Sequence, residues 1–544
     1  MRTSIRILSG LTVLGLLACT TETIVVQGSG APPGDVLGVG EPVPDDPAND
    51  PSQQGDPTDK DSPAPPLVKG LSISSVAVFQ AVKVDVMKEG RALQASARNA
   101  PVVANRPALF RVYVKPAAGW QSQSVTAELR LVDGTTRLPI VKDTKTISAA
   151  STDENVESTF NFEVPATSLP PGVTYQVFLT DKAGAVPSGS DAARFPLTGG
   201  VEDLQIEKSG SLKIVIVPVK YDADGSGRIP DVSAAQLARY KKSFMTLYAA
   251  SEVEVTARAP FAWPSTISAN GAGFSQILQA ITNLRRDDGA KSDVYYYGAL
   301  APRASFGTFC SGGCVTGLST VVENPKNAFL RASVGMGYPG QDSIDTALHE
   351  VGHAHGRNHA PCGGASGVDP NYPYAGAQIG VWGYDIFEKT FLSPTKGRDM
   401  MGYCPNEWVS DYTFTALFNR IAAVNGGSIS VSGPGGPATG GGAREAAGTY
   451  RMATVDADGS VAWGGEVDLA EEPAGGQERL ATFVSSSGQT ITQRTARFFP
   501  YDHLPGGVLV VPPGPGDSKL VSKVRAPEAW ATVRVAGLKN ALAR

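Results

Sequence analysis

Histidine, cysteine and methionine are scarce in this 544-residue sequence, which contains five, five and seven of them. An excess of one sign of charge is also lacking, since 47 Lys and Arg stand against 52 Asp and Glu. The formal net charge is −5, so charge favours neither nucleic acid nor an anionic membrane surface as a partner. After the N-terminal segment, no apolar run is long enough to cross a membrane. Glycine (61) and proline (40) are plentiful and indicate many turns and β-rich parts. The length predicts roughly two to four domains.

Residues 1–19 have the features of an export signal. Two arginines precede an apolar run, Leu8–Ala18, that is too short to span a bilayer as a stable helix. The run ends in Leu-Leu-Ala-Cys at Cys19, which resembles the bacterial lipobox, whose cysteine is lipidated. We therefore expect export and a lipid on Cys19. That lipid would be the chain's only membrane contact and would anchor it to the bacterial cell envelope, at the outer membrane or cell surface. An ordinary signal peptide with a chance cysteine is the alternative.

The other four cysteines are an even number, which in an exported protein suggests two disulfide bonds. Three connectivities are possible. We favour Cys310–Cys314 together with Cys362–Cys404. A zinc site built from all four cysteines is the alternative, and it is weaker because only one pair is closely spaced.

Changes of composition divide the rest of the chain. Residues 20–66 are rich in Pro, Gly and Asp, which predicts a disordered tether. Residues 67–200 carry alternating β-branched runs separated by turn signals, which predicts a β-sandwich of immunoglobulin-like type. Residues 205–428 are predicted to contain both strands and helices. Residues 429–445 are predicted to form a Gly/Pro linker, and residues 446–544 to form a second β domain. The expected fold is multidomain: an α+β domain flanked by N- and C-terminal β-sandwich-like domains.

Hydrophobic periodicity and cap residues place elements within the α+β domain. Helices are predicted at Ser233–Ala250, Phe274–Arg286, Ser343–His355 and Ser410–Val424. Strands are predicted at Leu212–Val219, Asp293–Tyr297 and Val315–Val322. In the C-terminal part, Asp458-Gly459 predicts a hairpin turn.

Four of the five histidines lie between His349 and His359. On a helix, His349 and His353 share a face and can present ring nitrogens to one metal ion. Gly356 marks the helix end because glycine tolerates the left-handed conformation of a sharp turn, which brings His359 back as a third ligand. Three protein ligands leave a coordination position open, as in catalytic zinc sites. We expect one zinc ion per chain, with Glu350 beside it as a general base that does not bind the ion.

Two further features are given structural interpretations. His355 lies two residues after His353, on another face of the helix, so we expect it to support the site or lie at the surface. Asp222–Gly227 has the spacing of a calcium loop, but Ser233 stands where the bidentate glutamate is needed. We expect no calcium there.

The pattern HExxHxxGxxH at 349–359 resembles the zinc signature of the metzincin metalloproteases. Met401 and Tyr403 are similar to the methionine turn of that superfamily and to the tyrosine that several subfamilies place two residues later. The segment Ala-Pro-Cys-Gly at 360–363 and the Tyr-Cys ending of the turn resemble bacterial metzincins related to the secreted mucin-cleaving proteases. The resemblance covers 345–412, about an eighth of the chain.

This resemblance implies a metzincin-like catalytic domain in two parts, with a twisted sheet and the zinc helix above a cleft. It places Met401 beneath the metal, and Tyr403 either as a ligand of the resting zinc or as a hydrogen-bond donor to the oxyanion. An edge strand within 315–322 would pair with an extended substrate. Cys362–Cys404 would tie the third-ligand loop to the methionine turn.

The function that follows is hydrolysis of peptide bonds in extracellular proteins, glycoproteins among them. Zinc-activated water would attack, with Glu350 as general base. A non-catalytic surface-binding lipoprotein with a vestigial zinc site is one alternative, although a purely structural site has no need of Glu350. A zinc hydrolase acting on a non-protein bond is another.

Overall fold

The computed structural model describes residues 65–181, 191–427, 448–515, 517 and 530–544. The predicted signal segment with Cys19, the predicted linker and nearly all of the predicted tether lie outside these residues. All described residues belong to one compact unit, residues 46–544. Among them, no helix is long and apolar enough to span a membrane. The described chain consists mostly of β-sheets, with few helices.

The N-terminal part forms two antiparallel sheets. The first has the order β3-β2-β1-β4-β8. The second has the order β10-β9-β5-β6, with β7 also on β5 and β11 also on β9. Alternation of buried and partly exposed residues, clearest in β8, turns one face of a strand towards the core. The strands are β1 Leu71–Phe79, β2 Lys83–Lys88, β3 Arg91–Ala92, β4 Ala108–Pro116, β5 Gln123–Asp133, β6 Thr136–Arg137, β7 Val141–Ile147, β8 Phe160–Val164, β9 Thr174–Thr180, β10 Arg194–Phe195 and β11 Glu202–Asp203.

The central part is built on a mostly parallel sheet of order β13-β12-β15-β17-β16, with β14 also on β12. The strand at one edge, β16, runs antiparallel to β17. The elements are β12 Ser211–Tyr221, α1 Ala234–Leu247, β13 Glu252–Ala257, β14 Phe261–Trp263, α2 Phe274–Asp287, β15 Val294–Leu300, α3 Phe306–Phe309, β16 Gly317–Ser319, β17 Ala332–Met336 and α4 Gln341–Ala354.

Helices cover both faces of this sheet. Side chains of α1 and α4 join the same hydrophobic core as the N-terminal sheets, whereas α2 contributes to a second core on the opposite face. Strand β12 feeds both cores because its side chains alternate between them: Ile216 lies in the first core and Val217 in the second. The sheet therefore holds α4 against β16 and β17, where the histidine motif lies.

The four predicted helices are confirmed, with small shifts at their ends. Ser233 caps α1 by accepting a hydrogen bond from the amide of Gln236 at 3.3 Å, and Ser410 caps the last helix through the amide of Thr413 at 3.0 Å. The predicted strand Val315–Val322 is wrong in length, since only Gly317–Ser319 belong to β16. After α4 come the short strands β18 Gly383–Asp385, β19 Thr390–Leu392, β20 Arg398–Asp399 and β21 Glu407–Trp408, and then α5 Asp411–Val424.

The C-terminal part is one antiparallel sheet of order β23-β22-β26-β25-β24-β27-β28, so the expected sandwich of two sheets is wrong here. One face packs on the central part through Met452, and the other encloses a small core around Trp530. The indole of Trp463 on β23 donates to the carbonyl of Ala543 on β28, so the two edge strands approach each other. The central part covers one face of the sheet, and the sheet curves so that its other face encloses a core of its own. A second sheet is therefore not needed to bury either face. The strands are β22 Gly448–Val455, β23 Val461–Leu469, β24 Gln477–Val484, β25 Thr490–Pro500, β26 Gly507–Val511, β27 Thr532–Val535 and β28 Leu542–Ala543.

Polar contacts join the three parts. The fully buried guanidinium of Arg106 in the N-terminal part donates to the carbonyls of Thr246 and Tyr248 at the end of α1, at 2.9 and 2.8 Å. The carboxylate of Asp456 after β22 accepts from Gln276 on α2 at 3.0 Å. The first contact joins the N-terminal part to the central part, and the second fixes the C-terminal sheet beside the central sheet.

Candidate metal centre

Helix α4 presents His349 and His353 on one face, one turn apart, and both side chains are buried. Their Nε2 atoms lie 3.0 Å from each other. The helix ends at Ala354, and Gly356 follows with a φ of +82°. A Cβ at Gly356 would collide with the carbonyl of Val322, so this turn requires glycine for its conformation and for its space.

The turn after Gly356 returns the chain to the helix face. His359 is buried there, and its Nε2 lies 3.2 Å from Nε2 of His353. The backbone on either side is held, because the amide of Ala360 donates to the carbonyl of Met401 at 2.8 Å and the amide of Asp369 donates to the carbonyl of His359 at 2.8 Å. The structure therefore brings all three sequence-predicted ligands together.

The hydrogen bonds of the three rings show which nitrogen is free in each. Nδ1 of His349 bonds to the carbonyl of Met400 at 2.6 Å, Nδ1 of His353 bonds to the carbonyl of Arg357 at 2.6 Å, and Nδ1 of His359 bonds to the carbonyl of Ser366. A carbonyl only accepts, so each Nδ1 carries the proton and each Nε2 presents a lone pair.

Three lone pairs at this separation repel one another unless a cation lies between them. Burial is the main cause that lowers the pKa of each of these histidines, and the neutral imidazole is the form that binds a metal. The donor set therefore fits a metal ion. Three imidazoles suit zinc among the divalent ions, as in catalytic sites with three protein ligands.

Met401 lies against α4. It reaches the helix because residue 352 is glycine: a Cβ on Gly352 would collide with the sulfur of Met401. The turn that carries Met401 is held by Asp399, whose buried carboxylate accepts from the amides of Met401 and Ser410, each at 2.9 Å. Asp399 was not predicted from the sequence, although an aspartate just before the methionine turn could have suggested this role.

The hydroxyl of Tyr403 lies 2.9 Å from Nε2 of His359, so the tyrosine reaches the metal centre. Its side chain stays accessible, with 42% of its surface exposed. The disulfide bond Cys362–Cys404 joins the segments that carry His359 and Tyr403, with a Cα–Cα distance of 5.8 Å. Cys310 and Cys314 form the second disulfide bond. Both pairs are those that we favoured from the sequence.

Glu350 is fully buried next to His349. It lies against β16, where a Cβ on Gly317 would overlap the carboxylate. Burial, followed by the nearby Asp502, holds the pKa of Glu350 well above its usual range. A raised pKa suits a group that takes up and releases a proton.

His503, the fifth histidine of the chain, also lies in this centre, and the sequence analysis did not identify it. One ligand atom from each of His349, His353, His359 and His503 lies within 4.8 Å of the others. Burial disfavours the charged imidazole, but Asp502 and Glu350 together raise the pKa of His503 to about 9. The only sequence signal was the rarity of histidine, since nothing near 503 resembles a metal motif.

His355 is not among the converging histidines. It is buried, stacks on the ring of Tyr295 at 4.2 Å and bonds through Nδ1 to the carbonyl of Val351 at 2.7 Å. The expectation of a supporting role is consistent with this position, whereas a surface position is wrong. In the loop first compared with a calcium site, the carboxylate of Asp224 pairs with Arg228 at 2.6 Å.

Residues 268–414 match a family model described as Peptidase M66. Dictomallein from Burkholderia mallei (strain SAVP1) is 28% identical over 263 residues, which are 42% of this chain and 33% of that protein. Dictomallein from Burkholderia pseudomallei (strain K96243) is 28% identical over 262 residues, with the same coverage. The chain thus spans about a third of the length of the curated relatives it matches.

A solved structure of a chaperone–substrate complex covers 49% of this chain and 39% of its own, with 10% identity and a TM-score of 0.21. A similarity at this level supports no conclusion about fold or function. The family match, in contrast, contains His349, His353, His359 and Glu350. It supports a peptidase domain in the central part of the chain, and the histidine group is consistent with a metallopeptidase.

Proposed function

We propose that this chain is a zinc-dependent endopeptidase of the metzincin type, acting on extracellular proteins with glycoproteins among its substrates. The observation that carries the proposal is the convergence of three imidazole lone pairs, from His349, His353 and His359, beside the buried carboxylate of Glu350. The match of residues 268–414 to a peptidase family supports the same reading.

A zinc ion held by the three histidines would supply a Lewis acid that activates water and polarises the scissile carbonyl. Glu350 accepts the proton of the attacking water and returns it to the leaving amine through Oε1, the oxygen that lies among the converging histidines, 2.8 Å from Nε2 of His503. Tyr403 donates its hydroxyl hydrogen to the carbonyl oxygen as that oxygen becomes negative. The disulfide bond Cys362–Cys404 keeps this hydroxyl close to His359.

The substrate binds as an extended strand along β16. This strand forms the edge of the central sheet and runs directly past the carboxylate of Glu350. Backbone hydrogen bonds to such an edge hold a peptide largely irrespective of its side chains. Specificity then comes from side chains beside the edge, where the loop closed by Cys310–Cys314 ends three residues before β16 begins.

We propose further that the chain is exported and held on the bacterial cell envelope by a lipid on Cys19. The lipobox-like sequence at 16–19 supports this. Replacing Cys19 by alanine should move the protein from the membrane fraction to the soluble fraction, because stable anchoring requires the acyl chains. Wild-type protein that carries no lipid mass on its N-terminal residue would contradict the proposal.

The decisive experiment is cleavage of a peptide library and of folded glycoproteins by the full chain, with and without a chelator. We expect cleavage at internal peptide bonds that stops on chelation and returns when zinc is added. Hydrolysis that persists at full rate in metal-free protein would overturn the proposal. Binding to the same glycoproteins without any cleavage would favour the non-catalytic lipoprotein instead.

A further inference from the structure

The turn between β25 and β26 extends from the C-terminal sheet into the metal centre. We call residues Pro500–Gly506 the cleft segment. It begins at the last residue of β25 and is closed by a hydrogen bond from the amide of Tyr501 to the carbonyl of Gly506 at 3.2 Å. Leu504 and Val315 both lie over Gly271 and pack against the second core, which anchors the turn to the central part.

The cleft segment pairs with the edge of the central sheet. Thr320, which follows β16, and Tyr501 form an antiparallel bridge. The amide of Asp502 donates to the carbonyl of Ser319 at 3.2 Å, and the amide of Val321 donates to the carbonyl of Pro500 at 3.3 Å. The carboxylate of Asp502 also accepts from the amide of Ser319 at 3.1 Å. Residues 500–502 thus hold backbone groups that an extended peptide at this edge would need.

The side chains of the same segment engage the groups expected to act on a substrate. Nε2 of His503 donates to Oε1 of Glu350 at 2.8 Å, and Nδ1 of His503 hydrogen-bonds with the hydroxyl of Tyr403. One imidazole therefore occupies both the proposed general base and the proposed oxyanion donor. Oδ2 of Asp502 lies 3.3 Å from Nε2 of His353.

The side chains that make these contacts are largely buried. The side chain of Asp502 is fully buried, and the side chain of His503 keeps 13% of its surface exposed. Glu350 and His503 are separated by 153 positions in the chain, so only the docking of the C-terminal sheet brings them together. These features describe a peptide-like ligand that the chain itself supplies.

We propose that the cleft segment is an internal ligand of the peptide-binding cleft, and that the structure represents a closed state which a substrate must open by displacing it. Two strands cannot pair with the same edge groups, and Oε1 of Glu350 and the hydroxyl of Tyr403 are not free for a water or a carbonyl oxygen while His503 bonds to both. Opening requires the turn to leave the edge, with β25 and β26 remaining paired as its hinge. This inference rests on the proposed peptidase function.

The size of the effect follows from the population of the open state. If about 0.1–10% of molecules are open, the apparent affinity for a peptide falls to that fraction of the affinity of the open state. Replacing His503 by alanine removes the contacts with Glu350 and Tyr403 and leaves the fold of the turn. We expect kcat/KM for a peptide substrate to rise about 10-fold or more, mainly through a lower KM.

The second test is a reversible lock, an engineered disulfide bond that holds the cleft segment against the edge of the central sheet. Thr320 and Tyr501 are flanked by the two backbone hydrogen bonds, so they form a non-hydrogen-bonded pair, in which the Cα atoms lie about 4.5 Å apart. That distance suits a disulfide bond. We expect the Thr320→Cys/Tyr501→Cys protein to be inactive when oxidised and to recover on reduction. The two single-cysteine variants and the wild type, given the same reductant, are its controls.

A third readout does not depend on turnover. Hydrogen exchange at the amides of Val321 and Asp502 should be slow in the free protein. In the Glu350→Ala variant, which binds without cleaving, a bound peptide should make the Asp502 amide exchange faster while that of Val321 stays protected. Thr495→Ala, an exposed position on β25, serves as a matched control and should change neither exchange nor activity.

The outcomes separate this inference from the proposed function. Metal-dependent cleavage by wild type, combined with a loss of kcat in His503→Ala and full activity in the oxidised lock, would overturn the inference and make His503 a working part of the open site. No cleavage by any variant would contradict the peptidase proposal. The exchange at Asp502 would still show whether the segment leaves the edge when a peptide binds.

Discussion

The hydroxyl of Tyr403 lies 2.9 Å from Nε2 of His359, although 44 positions separate the two residues in the chain. Two connections produce this contact. The amide of Ala360 donates to the carbonyl of Met401, and the disulfide bond Cys362–Cys404 closes just beyond both residues. Covalent and backbone bonds therefore position the tyrosine, together with ring contacts to His359 and His503.

Replacing Tyr403 by phenylalanine should lower kcat about 10²-fold and change KM little, because the hydroxyl acts on charge that develops only in the transition state. Steady-state kinetics with one peptide substrate measures both constants. Tyr296→Phe is a matched control, since its hydroxyl bonds to the carboxylate of Asp288, just after α2, at 2.9 Å. A loss confined to KM would show that Tyr403 binds substrate and does not act in the reaction.

The full chain should bind about one zinc ion, and His349→Ala or His359→Ala should abolish stoichiometric binding, because two imidazoles do not hold zinc as three do. Metal analysis after dialysis measures this. His503→Ala is the control and should keep its zinc, because three lone pairs converge without it. Unchanged zinc content in both ligand variants would refute the assignment.

Replacing Glu350 by alanine should leave zinc content and thermal unfolding nearly unchanged and reduce kcat at least about 10²-fold, because the attacking water loses its general base. Metal analysis, a melting curve and a cleavage assay on one preparation test this together. Glu323→Gln, an exposed carboxylate close to the end of α4, is the matched control. Near-normal turnover by the zinc-loaded alanine variant would remove Glu350 from the mechanism.

The two disulfide bonds should differ in their effect on stability. Cys362 and Cys404 are 42 positions apart, and a loop of that length contributes about 4 kcal/mol to the free energy of unfolding by the loop-entropy relation. Cys310 and Cys314 are 4 positions apart, for which the same relation predicts about 2 kcal/mol. Denaturant unfolding of the two double-serine variants compares them.

Non-reducing peptide mapping checks the pairing itself. A link between Cys310 and Cys362, or between Cys314 and Cys404, would show that the segment 310–314 is joined to the metal centre instead. The proximity of Tyr403 to His359 would then lack its covalent cause.

Much of the metal centre could be predicted because its parts are close in sequence. The i, i+4 spacing of His349 and His353 on one helix face, and a glycine where that helix must turn, are local properties of the backbone. The helices were predictable for the same reason, as Ser233 and Ser410 cap them through amides only three residues away.

The tertiary structure decided what closes the cleft. His503 has no metal motif around it, and its position depends on a sheet that packs on the central part through one face and encloses Trp530 with the other. Local pattern carries no information about such docking, because the strand periodicity of β25 is the same whether its turn ends in solvent or beside Glu350. The length of β16 was predicted wrongly for the same reason. The strand ends at Ser319, and the next residues, Thr320 and Val321, pair with a segment about 180 residues further along the chain. No local signal encodes that pairing.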